Sequence, residues 1–277
     1  MEWTDKKQFE SFSAIACPNK PLFDFDVPLG QLNFACRLAR RAEATSLIVS
    51  MTGFINRSVW EPPSFLRWNR NMRSHVLAVS DPTFLLHPSI RSGFFVGTRD
   101  DDAISGLLEL VHAVAASLGV DRSRIVYWAS SSGGFGAAMA AIRSGNGQAV
   151  VVNSAFELEK FKTRPAAPTL NRLFHDGTID EMFTGFPLRL SVSAALTKAR
   201  QDGARPKLLV VQNTVDAIFH NQHYTPFCHA VGLPVAGGFD QTGMLKSMVY
   251  SDPSGHGAEP KSVADQIVSG DFPLVFG

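Results

Sequence analysis

Continuous apolar runs recur along the chain, and segments with helical periodicity separate them. Five of these runs have the length of a buried strand, and a sixth is shorter. They are LIVSM (47–51), VLAVS (76–80), IVYWA (125–129), AVVVN (149–153), LLVVQN (208–213) and SMVY (247–250). Hydrophobicity that is continuous rather than alternating is typical of parallel strands covered on both faces. The pattern therefore predicts the interior of a parallel sheet.

The clearest helical segment between these strands is 101–118. Ile104, Leu107 and Val111 fall on one apolar face, two aspartates stand at the start, and Gly119 follows the end. Acidic residues at the first turn and glycine after the last turn are favourable helix ends. Strands that alternate with such helices predict right-handed crossovers, with helices on both faces of a mostly parallel sheet.

Two segments depart from this alternation. The first 45 residues contain FDFDVPLGQLNFACRLA, which predicts one or two antiparallel edge strands that Pro28 and Gly30 interrupt. Residues 154–206 are rich in Phe and Leu and too long for a simple loop. They predict helices over one end of the sheet, as a lid or as a plain helical insertion. No Pro/Gly/Ser-rich linker divides the chain, which favours one domain over 1–277.

Composition narrows the class of protein. The 277 residues are 45% hydrophobic and 18% charged, with a net charge of +1. No basic footprint of a nucleic-acid binder is present, and the sequence offers neither a secretory segment nor a bilayer-spanning run. We therefore expect a soluble, cytoplasmic protein with no nucleic-acid partner. Cys17, Cys36 and Cys228 lie far apart without a CxxC pair, which argues against a disulfide framework or zinc site.

The segment 125–140, IVYWASSSGGFGAAMA, crowds three serines and two glycines between a strand and a helix. A nucleophile elbow occurs in this context, with small residues two before and two after the nucleophile. Here Ser131 is the central residue, and Ala129 stands where the first glycine is usual. Serines that cap the helix are the alternative. A phosphate-binding loop is excluded, because no Gly-Lys-Ser/Thr follows and the third glycine of a dinucleotide fingerprint is absent.

A serine nucleophile needs a base to take its proton and an acid to orient that base. Asp216 follows the strand LLVVQN, and His256 lies in the loop SDPSGHGAEP before the predicted last helix, 258–268. The chain order Ser, Asp, His is the one expected for a strand–elbow–helix architecture. Asp240 and Asp252 are the rival acids.

Backbone N–H groups complete such a site. The N–H of Ser132, directly after the nucleophile, and that of Phe54 in the loop MTGFINRS are the predicted oxyanion donors, with Gly53 as the alternative to Phe54. Trp60 and the Phe-rich insertion are candidates for apolar walls.

A metal site is the other chemistry we considered. His220 and His223 have i, i+3 spacing, but neither HExxH nor a cluster of carboxylates accompanies them. We therefore expect no metal and no cofactor, although either histidine could line the pocket.

With ASSSGG, the Asp216 loop, SGHG and the TGF loop, the chain resembles the α/β-hydrolase superfamily over about residues 40–270. The resemblance implies the α/β-hydrolase fold: an eight-stranded, mostly parallel sheet with a Ser–His–Asp triad at its carboxyl edge. Together with the residues above it predicts a serine hydrolase that cleaves a carboxylic ester or thioester.

Two other functions stay open. The motifs are also similar to those of acyltransferases and esterase-like proteins that act on acylated glycans or small acyl esters. The partner we expect is accordingly a small-molecule or glycan acyl substrate. A non-catalytic binding protein on the same fold is the remaining alternative, and a binding protein has no need of all three triad residues.

Overall fold

A ten-stranded sheet forms the centre of the computed structural model, which describes residues 6–54 and 72–270. Its strand order is β1-β2-β3-β5-β4-β6-β7-β8-β10-β9. The strands are β1 (Lys7–Gln8), β2 (Leu22–Leu29), β3 (Leu32–Ala39), β4 (Leu47–Met51), β5 (His75–Val79), β6 (Ile125–Ser130), β7 (Gln148–Val152), β8 (Lys207–Asn213), β9 (Gly238–Phe239) and β10 (Leu245–Tyr250). The resemblance implied eight strands, and the described residues form ten. Eight of these have five residues or more, and the two-residue strands β1 and β9 lie at the two edges.

The six strands β5, β4, β6, β7, β8 and β10 pair in parallel, and each coincides with one of the six predicted apolar runs. Ser80 and Asn153, the last residues of two runs, lie just beyond β5 and β7. β2 and β3 form an antiparallel hairpin, β3 pairs antiparallel with β5, and β9 pairs antiparallel with β10. The sheet is thus mixed and mostly parallel, with its antiparallel pairs towards the edges.

The expected interruption at Pro28 does not occur, because Pro28 lies inside β2 and faces Asn33 of β3. On its other side β2 pairs with β1 only at Phe25 and Asp26. Proline is tolerated in such an edge position, since no ladder partner there needs its missing N–H. Gly30 has φ +54° and forms the tight turn between the two strands.

Ten α-helical segments flank the described part of the sheet. They are α1 (Pro82–Leu85), α2 (Ala103–Leu118), α3 (Ser131–Arg143), α4 (Ala167–Phe174), α5 (Ile179–Gly185), α6 (Pro187–Leu190), α7 (Val192–Gln201), α8 (Ala217–Phe219), α9 (Thr225–Val231) and α10 (Lys261–Ser269). α2 begins at 103 rather than 101 because Asp102 is its N-cap and accepts from the N–H of Ser105. α10 begins at 261 rather than 258, since Pro260 disfavours helical backbone in the residue before it.

Alternate residues of each central strand belong to different cores. Val49, Val151 and Val210 pack in a cluster that also contains buried residues of α2, α3 and α7. Their neighbours along the strands, such as Ile48 and Val150, pack in a second cluster with buried residues of α10. Burial on both faces is why these strands are apolar at most positions.

The segment 154–206 contains α4, α5, α6 and α7, as predicted for a helical insertion. Val192, Ala195 and Leu196 of α7 are buried, and α7 packs against α3 beside the sheet. The other three helices contribute walls of a large cavity. Movement of these helices as a lid stays a prediction. Within residues 6–54 and 72–270, no helix is long and apolar enough to cross a bilayer.

Candidate active site

Ser131 occupies a strained turn between β6 and α3. β6 ends at Ser130, and Ser131 has φ +56°, a left-handed conformation that non-glycine residues seldom adopt. The chain reverses here within one residue, which presents the serine side chain at the apex of the turn.

Small residues around the turn permit this close packing. A Cβ atom added to Gly133 would lie 2.5 Å from the carbonyl oxygen of Met51 in β4. A Cβ atom on Gly134 would lie 2.6 Å from Oγ of Ser154. Gly133 in particular meets backbone that cannot rotate away, so this position requires glycine.

A continuous hydrogen-bond chain joins the three predicted triad residues. His256 Nε2 lies 2.8 Å from Ser131 Oγ, and His256 Nδ1 lies 2.5 Å from Asp216 Oδ2. Asp216 is buried, and its other oxygen accepts from the N–H of Phe219. With Asp216 on Nδ1, the tautomer protonated there leaves Nε2 free to take a proton from the serine.

The rival aspartates lie elsewhere. Asp240 forms an ion pair with Arg200 at 2.6 Å and also bonds to Thr242. Asp252 Oδ1 accepts from the N–H of Ser254 at 2.9 Å, which shapes its own turn. Of the three acids weighed from the sequence, the structure brings Asp216 to His256.

Aromatic rings support the imidazole of His256. Phe219 stacks on it with ring centroids 4.0 Å apart. His223 lies in a π-helical turn, His220–Tyr224, and stacks against both Phe219 and Phe161. Burial lowers the pKa of His223 to about 4, so this ring is neutral at pH 7.

His220 and His223 therefore contribute to packing rather than to the cavity wall, which neither reaches. His220 Nδ1 instead lies 3.0 Å from Oδ1 of its neighbour Asn221. Among the residues that the structure describes, no three His, Cys, Asp or Glu side chains cluster as metal ligands would.

Asn153 is a site residue that the motifs missed. It directly follows β7, has φ +44°, and is buried. Its side-chain amide donates to the hydroxyl of Tyr250 and to the carbonyl of Gly257, each at 2.8 Å. Its side-chain oxygen accepts from the N–H of Asn213 at 2.6 Å. The residue next to His256 is thereby tied to the end of β7.

Asn213, the last residue of β8, holds the same loop from the other side. Its amide donates to the carbonyls of Asp252 at 2.8 Å and Gly255 at 2.7 Å. Its side-chain oxygen accepts from the N–H of Asp252 at 3.0 Å. The two asparagines thus fix the backbone that carries His256. One sequence signal could have identified these asparagines. The apolar runs AVVVN and LLVVQN both end in asparagine, and they lie on the neighbouring strands β7 and β8.

The predicted oxyanion donors lie on two segments that pack against each other, the loop after β4 and the first turn of α3. The N–H of Ser132 lies in the first turn of α3, where N–H groups have no acceptor within the helix. A Cβ atom on Gly53 would lie 3.2 Å from the carbonyl oxygen of Ser130. Phe54 is 58% exposed and lines the cavity. The donor roles of Phe54 and Ser132 stay predictions, and Trp60 lies outside the described residues.

A cavity of about 890 Å³ opens over Ser131 and His256. Its walls come from the loops after β4 and β5, from the α8 region and from the insertion. Among the apolar lining residues are Phe94, Val96, Leu158, Phe161, Leu170, Phe174, Met182, Phe183, Leu190 and Phe219.

Hydrogen bonds made by a buried and a half-buried side chain, Asp81 and Arg189, hold two of these walls in place. Asp81 accepts from the N–H groups of Thr83 and Gly93, which fixes the loop before Phe94, and burial raises the pKa of Asp81 to about 6. Arg189 of α6 donates to the carbonyls of Val96 at 2.7 Å and Thr98 at 2.8 Å.

The mixed, mostly parallel sheet with helices on both faces is the α/β-hydrolase fold, as the sequence motifs predicted. The capsule O-acetyltransferase of Neisseria meningitidis serogroup A is similar, with a TM-score of 0.65, 12% identity, and coverage of 88% of this chain and 94% of that one. Fluorophosphonate-binding serine hydrolase F of Staphylococcus aureus has a TM-score of 0.62 at 12% identity and covers 92% of this chain and 98% of its own. The S-formylglutathione hydrolase of Staphylococcus aureus has a TM-score of 0.61, the same identity and the same coverages.

These structural neighbours are enzymes of the α/β-hydrolase fold, and they include both hydrolases and an acetyltransferase. No protein-family model matches the sequence. No curated protein matches it either. At these identities the similarity establishes the fold, while the activity has to be argued from the site.

Proposed function

We propose that this protein is a serine hydrolase that cleaves a carboxylic ester or thioester through an acyl-enzyme on Ser131. The observation that carries the proposal is the hydrogen-bond chain from Asp216 through His256 to Ser131, at 2.5 and 2.8 Å. This chain lies on a strained elbow at the base of a large cavity. A hydroxyl paired in this way has the base that it needs to become a nucleophile.

In the proposed acylation step, Ser131 Oγ attacks the acyl carbonyl carbon while His256 Nε2 takes the hydroxyl proton. Asp216 holds the imidazole in the productive tautomer and stabilises the imidazolium that forms. The N–H groups of Phe54 and Ser132 donate to the developing oxyanion. Collapse of the tetrahedral intermediate breaks the bond to the alkoxide or thiolate, which leaves with the proton from His256.

Deacylation repeats these steps with water. His256 takes a proton from the water as its oxygen attacks the acyl carbon, and the proton returns to Ser131 Oγ as the carboxylic acid leaves. The asparagine contacts support this reading, because a base that serves in both half-reactions must keep one orientation. The names of two similar structures, a serine hydrolase and S-formylglutathione hydrolase, are consistent with it.

Acyl transfer is the second candidate, and the observation in its favour is the similarity to the capsule O-acetyltransferase. The same acyl-enzyme would form, but an alcohol of the acceptor would replace water in the second step. Product analysis separates the two functions. With an acyl ester and increasing concentrations of candidate sugar alcohols, a hydrolase releases only the free acid, whereas a transferase accumulates the new ester.

The first test is labelling with a fluorophosphonate probe, followed by peptide mass mapping. We expect the adduct on Ser131 in the native protein and its loss in Ser131→Ala and His256→Ala. Ser130→Ala is the matched control, because the Ser130 side chain makes no capping hydrogen bond, and this variant should label normally.

Ester hydrolysis gives the quantitative check. Removal of such a nucleophile lowers kcat by about 10⁶ in a comparable triad. Folded protein that does not label, or that labels on Ser130 or Ser132, would contradict the triad and favour the non-catalytic binding protein.

A further inference from the structure

The cavity above Ser131 is much larger than the acetyl and formyl groups for which two of the similar enzymes are named. Its volume is about 890 Å³. A methylene-sized group occupies roughly the same space as a water molecule, about 30 Å³. An acetyl or formyl group would therefore fill less than about a tenth of the cavity, and the remaining wall would stay in contact with water.

The part of the cavity wall that α4, α5 and α6 form is apolar. Leu170 and Phe174 of α4, Met182 of α5 and Leu190 of α6 all line the cavity, and the last three are at least 95% buried. These side chains offer no hydrogen bond to a substrate. A sugar or a peptide placed against them would lose its hydrogen bonds to water without replacement, which costs free energy.

The hydroxyl groups in the lining are already engaged. Ser92 donates to Oγ of Ser132 at 2.7 Å, and Ser89 Oγ lies 3.0 Å from Oγ1 of Thr169. Among the described lining residues, the charged groups apart from the triad are the exposed guanidinium groups of Arg91 and Arg164. The lining therefore favours an aliphatic occupant in the part of the cavity formed by α4, α5 and α6.

Given the proposed function, on which this step rests, we infer that the acyl group transferred to Ser131 is an aliphatic chain of about six carbons or more. The carbonyl carbon lies at Ser131, and the chain extends along the α4–α6 wall. Met182 and its neighbours on α4 and α6 line the part of the cavity that receives the chain. The specificity thus differs from that implied by the names of the similar acetyl- and formyl-group enzymes.

The test uses 4-nitrophenyl esters from acetate to decanoate, which share one leaving group and differ only in chain length. Burial of each methylene favours the transition state by about 0.8 kcal/mol, or about fourfold. We expect kcat/KM to rise by up to about fourfold per methylene, so that hexanoate exceeds acetate by up to about two hundredfold. Ser131→Ala supplies the background rate for each ester.

Met182→Trp should move the optimum to shorter chains, since the larger side chain reduces the volume of the cavity that Met182 lines. The ratio of its kcat/KM for octanoate to that for acetate should fall below the native ratio. Leu188→Trp is the matched control, because Leu188 on neighbouring α6 is 47% exposed and does not line the cavity. It should leave the chain-length profile unchanged.

The outcomes separate this inference from the proposed function. If Ser131 labels with the probe but the native enzyme cleaves acetate as fast as hexanoate and octanoate, the inference is wrong and the hydrolase proposal stands. If Ser131 does not label, the proposed function fails first. The profile of the native enzyme decides the inference even if Met182→Trp does not fold.

Discussion

Glu259 is a buried carboxyl group close to the proposed base, and it makes stability depend on pH. It lies three residues after His256, just before α10, and is 5% exposed. Its Oε1 accepts from the indole N–H of Trp128 at 2.9 Å, while Oε2 has no hydrogen-bond partner among the described residues. Burial is the main reason that its pKa rises from 4.5 to about 7.

The size and sign of the effect follow from linkage. Each pKa unit corresponds to 1.36 kcal/mol, so ionisation of Glu259 in the folded state costs about 3 kcal/mol more than in the unfolded chain. Because the folded pKa is the higher one, the folded state binds the proton more tightly. This contribution to stability is complete below about pH 4.5 and is lost as the pH rises through about 7.

Glu259→Gln removes the titration and keeps an oxygen for the indole N–H of Trp128. We expect this variant to be more stable than the native protein by about 3 kcal/mol at pH 8.5, and within about 1 kcal/mol of it at pH 5. Urea unfolding at several pH values gives both free energies, with equal slopes as the check on the comparison.

Glu109→Gln is the matched control for this prediction. Glu109 lies exposed on α2, and its replacement shows how much of the change comes from exchanging any carboxylate for an amide. Other titrating groups, such as Asp81, are present in every variant and cancel in the differences. A Glu259→Gln effect that does not change between pH 5 and 8.5, or that grows towards low pH, would refute the reasoning.

Two further substitutions test how the site is held. Asn213→Ala leaves two carbonyl groups of the His256 loop without their hydrogen-bond donor. We therefore expect kcat for ester hydrolysis to fall at least tenfold with KM within about threefold, and the unfolding free energy to fall by about 2 to 3 kcal/mol. Exposed Asn221→Ala is the control, and an unchanged kcat in Asn213→Ala would contradict the positioning role. Arg189→Lys loses the guanidinium donors to two carbonyls. We therefore expect the unfolding free energy to fall by about 1 kcal/mol, the Tm to fall by about 2 to 4 °C, and proteolysis within 166–190 to become faster. Exposed Arg172→Lys should change neither quantity, and a stable, protease-resistant Arg189→Lys protein would show that α6 is held by other contacts.

The sequence predicted the parallel strands well because burial on both faces leaves a simple pattern. LIVSM and IVYWA are apolar at nearly every position, and both lie in the middle of the sheet. The hairpin register was harder to predict, since Pro28 has a different meaning at an edge than in the interior. The strand β9 carries no pattern at all, because two residues that pair with β10 have no periodicity.

The triad contacts were predictable because each residue follows a recognisable strand or lies in a glycine-flanked loop. The hydrogen bonds and ring contacts that hold the triad residues in place were not predictable. Asn153 and Asn213 act through contacts with residues 39 to 104 positions away, and no local spacing encodes such a contact. The stacking of Phe219 on His256 depends on a three-residue helix capped by Asp216, whose length no periodicity can define.

The carboxyl edge of the sheet concentrates features that cost stability. Ser131 and Asn153 directly follow the neighbouring strands β6 and β7, and both have positive φ, a conformation worth about 1 to 3 kcal/mol of strain each. The buried carboxyl of Glu259 adds its own cost near the same loop. At both strained positions the side chain makes hydrogen bonds that a relaxed backbone would redirect. Ser131 bonds to His256, and Asn153 bonds to the backbone carbonyl next to His256. Strain that is retained where it aims a serine and fixes its partner is best explained by selection for the chemistry of that serine, which predicts that the fluorophosphonate probe labels Ser131.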